Sequence, residues 1–200
     1  SAGDIATHMF LGDVPWIGPD GQVLRYLYEA RERGIIFDVG HGGGSFYWRN
    51  AVPAIEQGFY PDSISTDLHT WCMNDEMQDM TNVMSKFLAI GLPLEEIIRE
   101  STVNPAREIG HPELGHLSIG AVADVTALNV LDGDFAYLDV RQGRVQGKQR
   151  LRCELTLLAG ELKWDWNGRT GTDWRDLPPD YGVRNPKGLI MPPGEGGASR

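Results

Sequence analysis

Cysteine is scarce in this chain. Its two residues, Cys72 and Cys153, lie far apart in segments of different character, so the sequence encodes no disulfide framework of the kind that staples small secreted domains. Two reduced thiols in a cytoplasmic protein are the expectation, although a single Cys72–Cys153 pairing stays open at this level. Basic residues are also outnumbered: 18 Lys and Arg against 28 Asp and Glu leave a formal net charge of -10. The phosphates of nucleic acid or of an anionic membrane would be repelled by such a chain. No apolar run approaches the roughly 20 residues that span a bilayer, and the first residues lack the pattern of a signal peptide. There is no initiating methionine. The chain starts at Ser1 and runs almost at once into an apolar strand, which predicts a processed precursor or a fragment.

What is present is a repeated pattern. The 200 residues are 41% hydrophobic, enough for a packed core. Asp4-Ile-Ala-Thr-His-Met-Phe10 reads as a buried strand. A helix follows with Val23, Leu24, Leu27 and Ala30 on one face, ended by Gly34. Ile35-Ile-Phe-Asp-Val39 is a second strand, followed by the loop Gly40-His-Gly-Gly-Gly-Ser45 and a helix near residues 49–57. Ser63-Ile-Ser-Thr66 is a third strand, ending at Asp67-Leu-His69, and Met77, Met80, Met84, Phe87 and Leu88 mark a longer helix. Nearly continuous apolar strands alternating with helices predict an α/β fold with a parallel sheet and helical crossovers. Residues 94–100 and 105–109 read as two further short helices. Beyond them, segments 123–130, 135–140, 150–158 and 161–166 read as strands joined by Asp132-Gly and Ala159-Gly turns, a small antiparallel unit. From about Gly168 onward Pro, Gly and charge dominate without periodicity, which predicts an irregular tail. Trp174, Tyr181 and Leu189-Ile-Met191 are candidates to pin it to another surface.

The residues able to carry chemistry sit at strand ends, where α/β sheets and TIM barrels place their sites. His8 closes the first strand. A neutral imidazole on a rigid strand end suits zinc ligation, and also suits a plain hydrogen bond at the rim. Asp67 closes the third and can ligate a metal, accept a proton, or simply cap a turn. Around His41, the glycines let backbone approach a ligand and expose N–H groups as an anion nest. No Gly-Lys-Ser/Thr follows them, so the loop is not a phosphate loop. Asp38 is read as orienting His41 or a backbone amide, or as a satisfied buried carboxylate. His111 and His116 read as solvated or structural, the methionine stripe as core, and Glu95, Glu96 and Glu100 as a solvated helix face.

Several runs together resemble the amidohydrolase superfamily, in particular its dihydroorotase-like deacetylases and D-aminoacylase-type enzymes. They are Gly3-Asp-Ile-Ala-Thr-His-Met-Phe10, Ile36-Phe-Asp-Val-Gly-His-Gly-Gly-Gly-Ser-Phe46, Pro61-Asp-Ser-Ile-Ser-Thr-Asp-Leu-His69, Ser101-Thr-Val-Asn-Pro-Ala-Arg107 and Gly120-Ala-Val-Ala-Asp-Val-Thr126. The resemblance spans about residues 3–167. It implies the C-terminal part of a TIM-type (β/α)8 barrel, strands six to eight, over residues 1–110. It further implies part of a small β-sandwich domain over 111–167, before the tail 168–200. His8 becomes the metal-binding histidine ending strand six, and Asp67 the aspartate ending strand eight, a metal ligand that also shuttles the catalytic proton. His41, with Gly42, Gly43 and Ser45, becomes the substrate-binding element after strand seven. The cofactor implied is one or two divalent ions, zinc foremost, and the substrate a small N-acyl amino acid. The family's His-x-His pair, bridging lysine or glutamate, and further histidine have no counterpart here: no His-x-His occurs and no lysine precedes His8. The resemblance therefore places those ligands upstream of Ser1, and the chain alone, with two ligands where zinc needs three or four, is expected to bind metal weakly and not to turn over. A homo-oligomer is expected from the open sheet edges of a partial barrel. Rival readings are a cyclic-amide hydrolase, a non-catalytic module holding an anion in the glycine loop, and a structural fragment.

Overall fold

A computed structural model describes residues 1–182. Its parallel sheet is short and centred on β2 (Ile36–Phe37), with β1 (Ile5–Ala6) in register at Ile5↔Ile36 and Ala6↔Phe37. The amides of Ile36 and Asp38 donate to the carbonyls of Asp4 and Ala6, and Met9 N–H returns to Asp38 O at 3.1 Å. On the other edge Val39, His41 and Gly42 donate to Ser63, Ser65 and Thr66. Residues 63–66 thus run parallel beside β2, although only the Asp38↔Ser63 bridge has regular geometry there. The strands are shorter than the apolar runs suggest, because backbone at their C-terminal ends turns into the left-handed region, at His8 (φ 58°), Gly40 (φ 47°) and Asp67 (φ 49°).

Helices α1 (Arg25–Glu32), α2 (Trp48–Glu56), α3 (Met80–Ala89), α4 (Leu94–Glu100) and α5 (Val103–Glu108) follow the expected order. Val23 falls just outside α1, bridging antiparallel to Ile17. Asp79 caps α3 by accepting from Asn82 N–H at 2.7 Å, the first-turn bond that satisfies an orphan donor. Between sheet and helices lies an aromatic core: the Phe10 ring centroid is 5.5 Å from that of Trp16, 5.8 Å from Phe46 and 6.1 Å from Phe87.

The β-rich segment forms one three-stranded antiparallel sheet, β3 (Val125–Leu138), β4 (Arg144–Leu158) and β5 (Glu161–Asp165), ordered β3-β4-β5. The expected Asp132-Gly turn is not a turn. The strand runs through it, with a register shift between Asp132 and Phe135, so the extra residues form a bulge. The hairpin reverses instead after Leu138. Ala159 (φ 50°) and Gly160 (φ 81°) do make the expected turn into β5.

Asp139 ties this hairpin to the parallel layer. Its Oδ1 accepts from the amides of Arg141 and Gly143 at 2.9 and 2.8 Å, and its Oδ2 from Trp48 N–H at 3.1 Å at the start of α2. An asparagine keeps the shape but one acceptor oxygen. Asp139→Asn is therefore expected to cost about 1–2 kcal/mol and to lower the thermal midpoint of the intact protein by roughly 5 °C. An unchanged melting curve would contradict this anchoring role.

The chain divides into two compact units, Ser1–Trp164 and Asp165–Arg200. In the second, Asp165 Oδ2 accepts from Thr170 N–H and Oγ1–H at 2.8 Å, and Asp173 caps the 3-10 turn Trp174–Asp176. The anchoring expected of Leu189-Ile-Met191 lies outside the described residues. Among the described residues no helix is long and apolar enough to cross a membrane, and both cysteines are free.

Candidate functional site

His8 and Asp67 come to the same end of the parallel sheet, on either side of the Gly40-His41-Gly42 backbone. The His8 ring lies against Gly40, with Nδ1 2.5 Å from Gly40 O. A carbonyl can only accept, so Nδ1 carries the proton and Nε2 keeps its lone pair outward, the tautomer that carbonyl-oriented metal ligands use. The Asp67 carboxylate lies against Gly42. A Cβ built on Gly42 would stand 2.7 Å from Asp67 Oδ2, and one on Gly40 would stand 2.8 Å from His8 Nδ1 and 2.3 Å from Thr7 Oγ1. Both glycines also have positive φ. Two residues of chain span at most ~7 Å, which bounds the separation of the two glycine Cα atoms flanking these side chains. His8 is half-buried and Asp67 exposed, and among the described residues the Asp67 carboxylate has no hydrogen-bond or ion-pair partner.

The glycine loop departs from its expected role. His41 is fully buried, stacked on Phe46 with centroids 4.6 Å apart, not open to a substrate. Its Nδ1–H donates to Gly42 O at 2.8 Å and its Nε2 accepts from Lys86 Nζ at 2.7 Å, so neither nitrogen is left for a ligand. Burial, with the Lys86 ammonium beside it, holds the imidazole down to about 3. Gly42 is likewise committed: its N–H goes to Thr66 O, and its missing side chain makes room for Asp67. The amides of Gly40 and His41 are spent on Ser65 Oγ and Ser65 O. Gly43 and Gly44 are exposed, and their N–H groups have no partner among the described residues. Half-buried Ser45 donates its amide to His41 O at 3.3 Å. A broad anion nest is therefore not what this loop builds.

The burial of Lys86 and Glu100 is not legible in the sequence analysis. Lys86 on α3 is fully buried, and its three donors meet His41 Nε2, Glu76 O at 2.8 Å and Leu138 O at 2.7 Å. Burial pulls it down to about 7, against the opposing charges of Glu76, Asp139 and Asp75. Glu100 is buried, not solvated, and burial, aided by Glu96 and Asp62, pushes it up to about 8. Helical spacing could have found both, since Lys86 lies three residues after Val83 and Glu100 three after Ile97, both core residues. Behind the rim, the turn after Asp67 is held by Cys72, whose buried Sγ accepts from His69 N–H at 3.2 Å.

As a metal centre the arrangement is partial. His8 Nε2 and the Asp67 carboxylate, both without a partner among the described residues, are fitting donors for a divalent cation, but among those residues no three His, Cys, Asp or Glu side chains converge. A zinc site needs more.

No family model matches the chain. It is 39% identical over 138 residues to a deacetylase of Brucella anthropi, covering 68% of this chain and 34% of that protein. It is also 37% identical over 150 residues to a deacetylase of Agrobacterium fabrum, covering 74% and 37%. Among solved structures it is similar to an adenine deaminase (TM-score 0.78, 28% identity, 82% of this chain and 45% of that one). A dihydroorotase is also similar (TM-score 0.69, 32% identity, 82% and 44%). The chain thus spans about a third of the length of these curated relatives and under half of the structural neighbours.

Proposed function

The chain belongs to the amidohydrolase superfamily, on its deacetylase and dihydroorotase-like side, and from that premise we propose that it forms the rim of a metal-dependent hydrolase site for a small N-acyl amino acid. The fold is mixed α/β, covering part of the TIM barrel of its neighbours. In our reading residues 1–110 supply strands six to eight of that barrel, and residues 111–167 supply a portion of a small β-domain. The observation that carries the proposal is the pairing of His8 and Asp67. Both are held at left-handed φ at one sheet end, and among the described residues neither His8 Nε2 nor the Asp67 carboxylate has a partner. Non-glycine residues adopt that conformation at a cost and keep it where the surroundings impose it.

His8 Nε2 and the Asp67 carboxylate are the proposed ligands, joined by others from outside this chain. A divalent cation held there, zinc foremost, would supply Lewis acidity to an attacking water and to the scissile carbonyl. Asp67 takes the proton of the attacking water and delivers it to the leaving nitrogen or oxygen. His8 is kept in one tautomer by Gly40 O. Gly43 and Gly44 offer the loop's free amides to a substrate carboxylate or developing oxyanion. A non-catalytic anion module is disfavoured, since the Gly40, His41 and Gly42 amides are spent in the sheet. The partners proposed are a small acyl substrate and further copies of the chain, with neither nucleic acid nor membrane. Cyclic-amide hydrolysis remains the second reading, supported by the likeness to a dihydroorotase.

The intact protein, stripped with a chelator and reloaded, tests this directly. Turnover of N-acetyl amino acids is expected to vanish on stripping and to return with zinc or another divalent ion, with dihydroorotate and hydantoins at least ten-fold slower. Chelator-insensitive turnover would remove the metal from the scheme, and faster opening of cyclic amides would favour the second reading.

A further inference from the structure

The Asp38 side chain, immediately after β2, reaches all three parallel segments. Its Oδ2 accepts from Thr7 Oγ1–H at 2.6 Å and from Ser65 Oγ–H at 2.7 Å, and its Oδ1 from Ser63 Oγ–H at 3.0 Å. The carboxylate is buried at 8% exposure, and its hydroxyl partners sit next to the rim residues: Thr7 immediately precedes His8, and Ser65 is two residues before Asp67. Its backbone adds a fourth tie, since Asp38 O accepts from Met9 N–H at 3.1 Å. His8 is therefore bracketed by bonds to one residue, through Thr7 on one side and Met9 on the other.

The circuit closes through Gly40. Its carbonyl takes the His8 Nδ1 proton, and its amide donates at 3.1 Å to Ser65 Oγ, the hydroxyl that in turn donates to Asp38. A carboxylate offers about four acceptor sites and no donor, so it can take all three hydroxyl protons at once and orient them. A serine or an amide in its place could not. Burying an ionised carboxylate is costly unless it is fully hydrogen-bonded, and here all three hydroxyl partners lie within four residues of His8 or Asp67 in the chain.

We propose that Asp38 is a positioning residue for the hydrolase site: it clamps Thr7, Ser63 and Ser65 so that His8 and Asp67 stay in their left-handed conformations and face a common cation. This inference rests on the functional reading above. Asp38 itself meets neither cation nor substrate.

The experiment compares the intact protein with its Asp38→Asn and Thr7→Val variants. Zinc dissociation constants are measured by competition with a chromophoric chelator on folded protein, beside kcat, KM and the thermal midpoint. Asp38→Asn is expected to weaken zinc binding about 10–100-fold, the range that loss of a supporting partner gives. At limiting zinc kcat should fall in step while KM stays within about two-fold, and added zinc should restore part of kcat. Thr7→Val, which removes one hydroxyl at constant size, is expected to weaken zinc binding several-fold, and it keeps the test decisive if the Asn variant does not fold. A merely structural role would lower the thermal midpoint and leave the zinc affinity of the folded protein unchanged. Zinc affinity within two-fold of the parent in the folded variants would overturn this inference alone. A parent with no metal-dependent turnover would overturn the functional reading, and this inference with it.

Discussion

Asp67→Asn is expected to lower kcat of the intact hydrolase by about 10³-fold, within the range that positioned acid–base groups contribute, with little change in stability. Asparagine matches aspartate in size, tolerates positive φ as well or better, and fits the same space against Gly42. It can still place an oxygen toward a cation. What it loses is the ability to take a proton from water and hand it on. Because Asp67 is exposed and has no partner among the described residues, no fold interaction is removed, so the thermal midpoint should move by no more than a degree or two. Measuring kcat at saturating metal, with metal content checked separately, isolates the proton-transfer loss from any weakening of ligation. Retention of more than a tenth of parental kcat would exclude Asp67 as the proton shuttle.

Lys86→Met is expected to be the most destabilising single change in this part of the protein. It removes the buried Lys86 amino group, leaving His41 Nε2 and the Leu138 carbonyl without that donor, while the Glu76 carbonyl keeps only its bond from Asn82 Nδ2 at 2.9 Å. Each unsatisfied buried acceptor costs about 1–3 kcal/mol. Relief of the ammonium's own desolvation offsets part of that. With two acceptors orphaned, the balance is a loss of about 2–4 kcal/mol, or roughly 10 °C in thermal midpoint.

The pH dependence should change as well. Lys86 titrates at about 7 in the folded chain against an ordinary 10.5, so between those values the unfolded chain binds more protons. Its share of stability is present above pH 10.5 and is lost as pH falls toward 7. His41, held at about 3 against 6.5, has the same sign over a lower window, so its contribution disappears as pH falls from 6.5 to 3. Glu100 has the opposite sign: at about 8 against 4.5, its contribution is present below pH 4.5 and is lost as pH rises to 8. The parent's stability should therefore rise with pH above 8, where Glu100 no longer opposes Lys86, and the Met variant should lack that rise. Identical slopes in parent and variant above pH 8 would mean that Lys86 keeps its ordinary proton affinity.

The placement of two candidate residues was legible in the sequence. His8 and Asp67 each end an apolar run, and parallel strands send such ends to one rim, so their arrival at the same edge follows from chain direction. The turn at Ala159-Gly160 was equally local, since glycine next to a small residue satisfies the positive φ that a tight hairpin demands. The glycine loop is only partly legible because its composition is compatible with two opposite uses. Glycines free amides for a ligand, or they remove side chains so that neighbours can approach. Gly40 and Gly42 do the second, and only the positions of His8 and Asp67 reveal it.

By itself, the order of residues determined the alternation of strands and helices and the two polar groups at strand ends, because periodicity and strand polarity are properties of adjacent residues. Tertiary structure alone decided that His41 turns inward to Lys86, that Glu100 is buried, that Asp38 gathers three hydroxyls, and that residues 132–135 bulge where a turn was expected. Each of these depends on which distant segment supplies the partner, and a buried polar group is tolerated only where that partner is met.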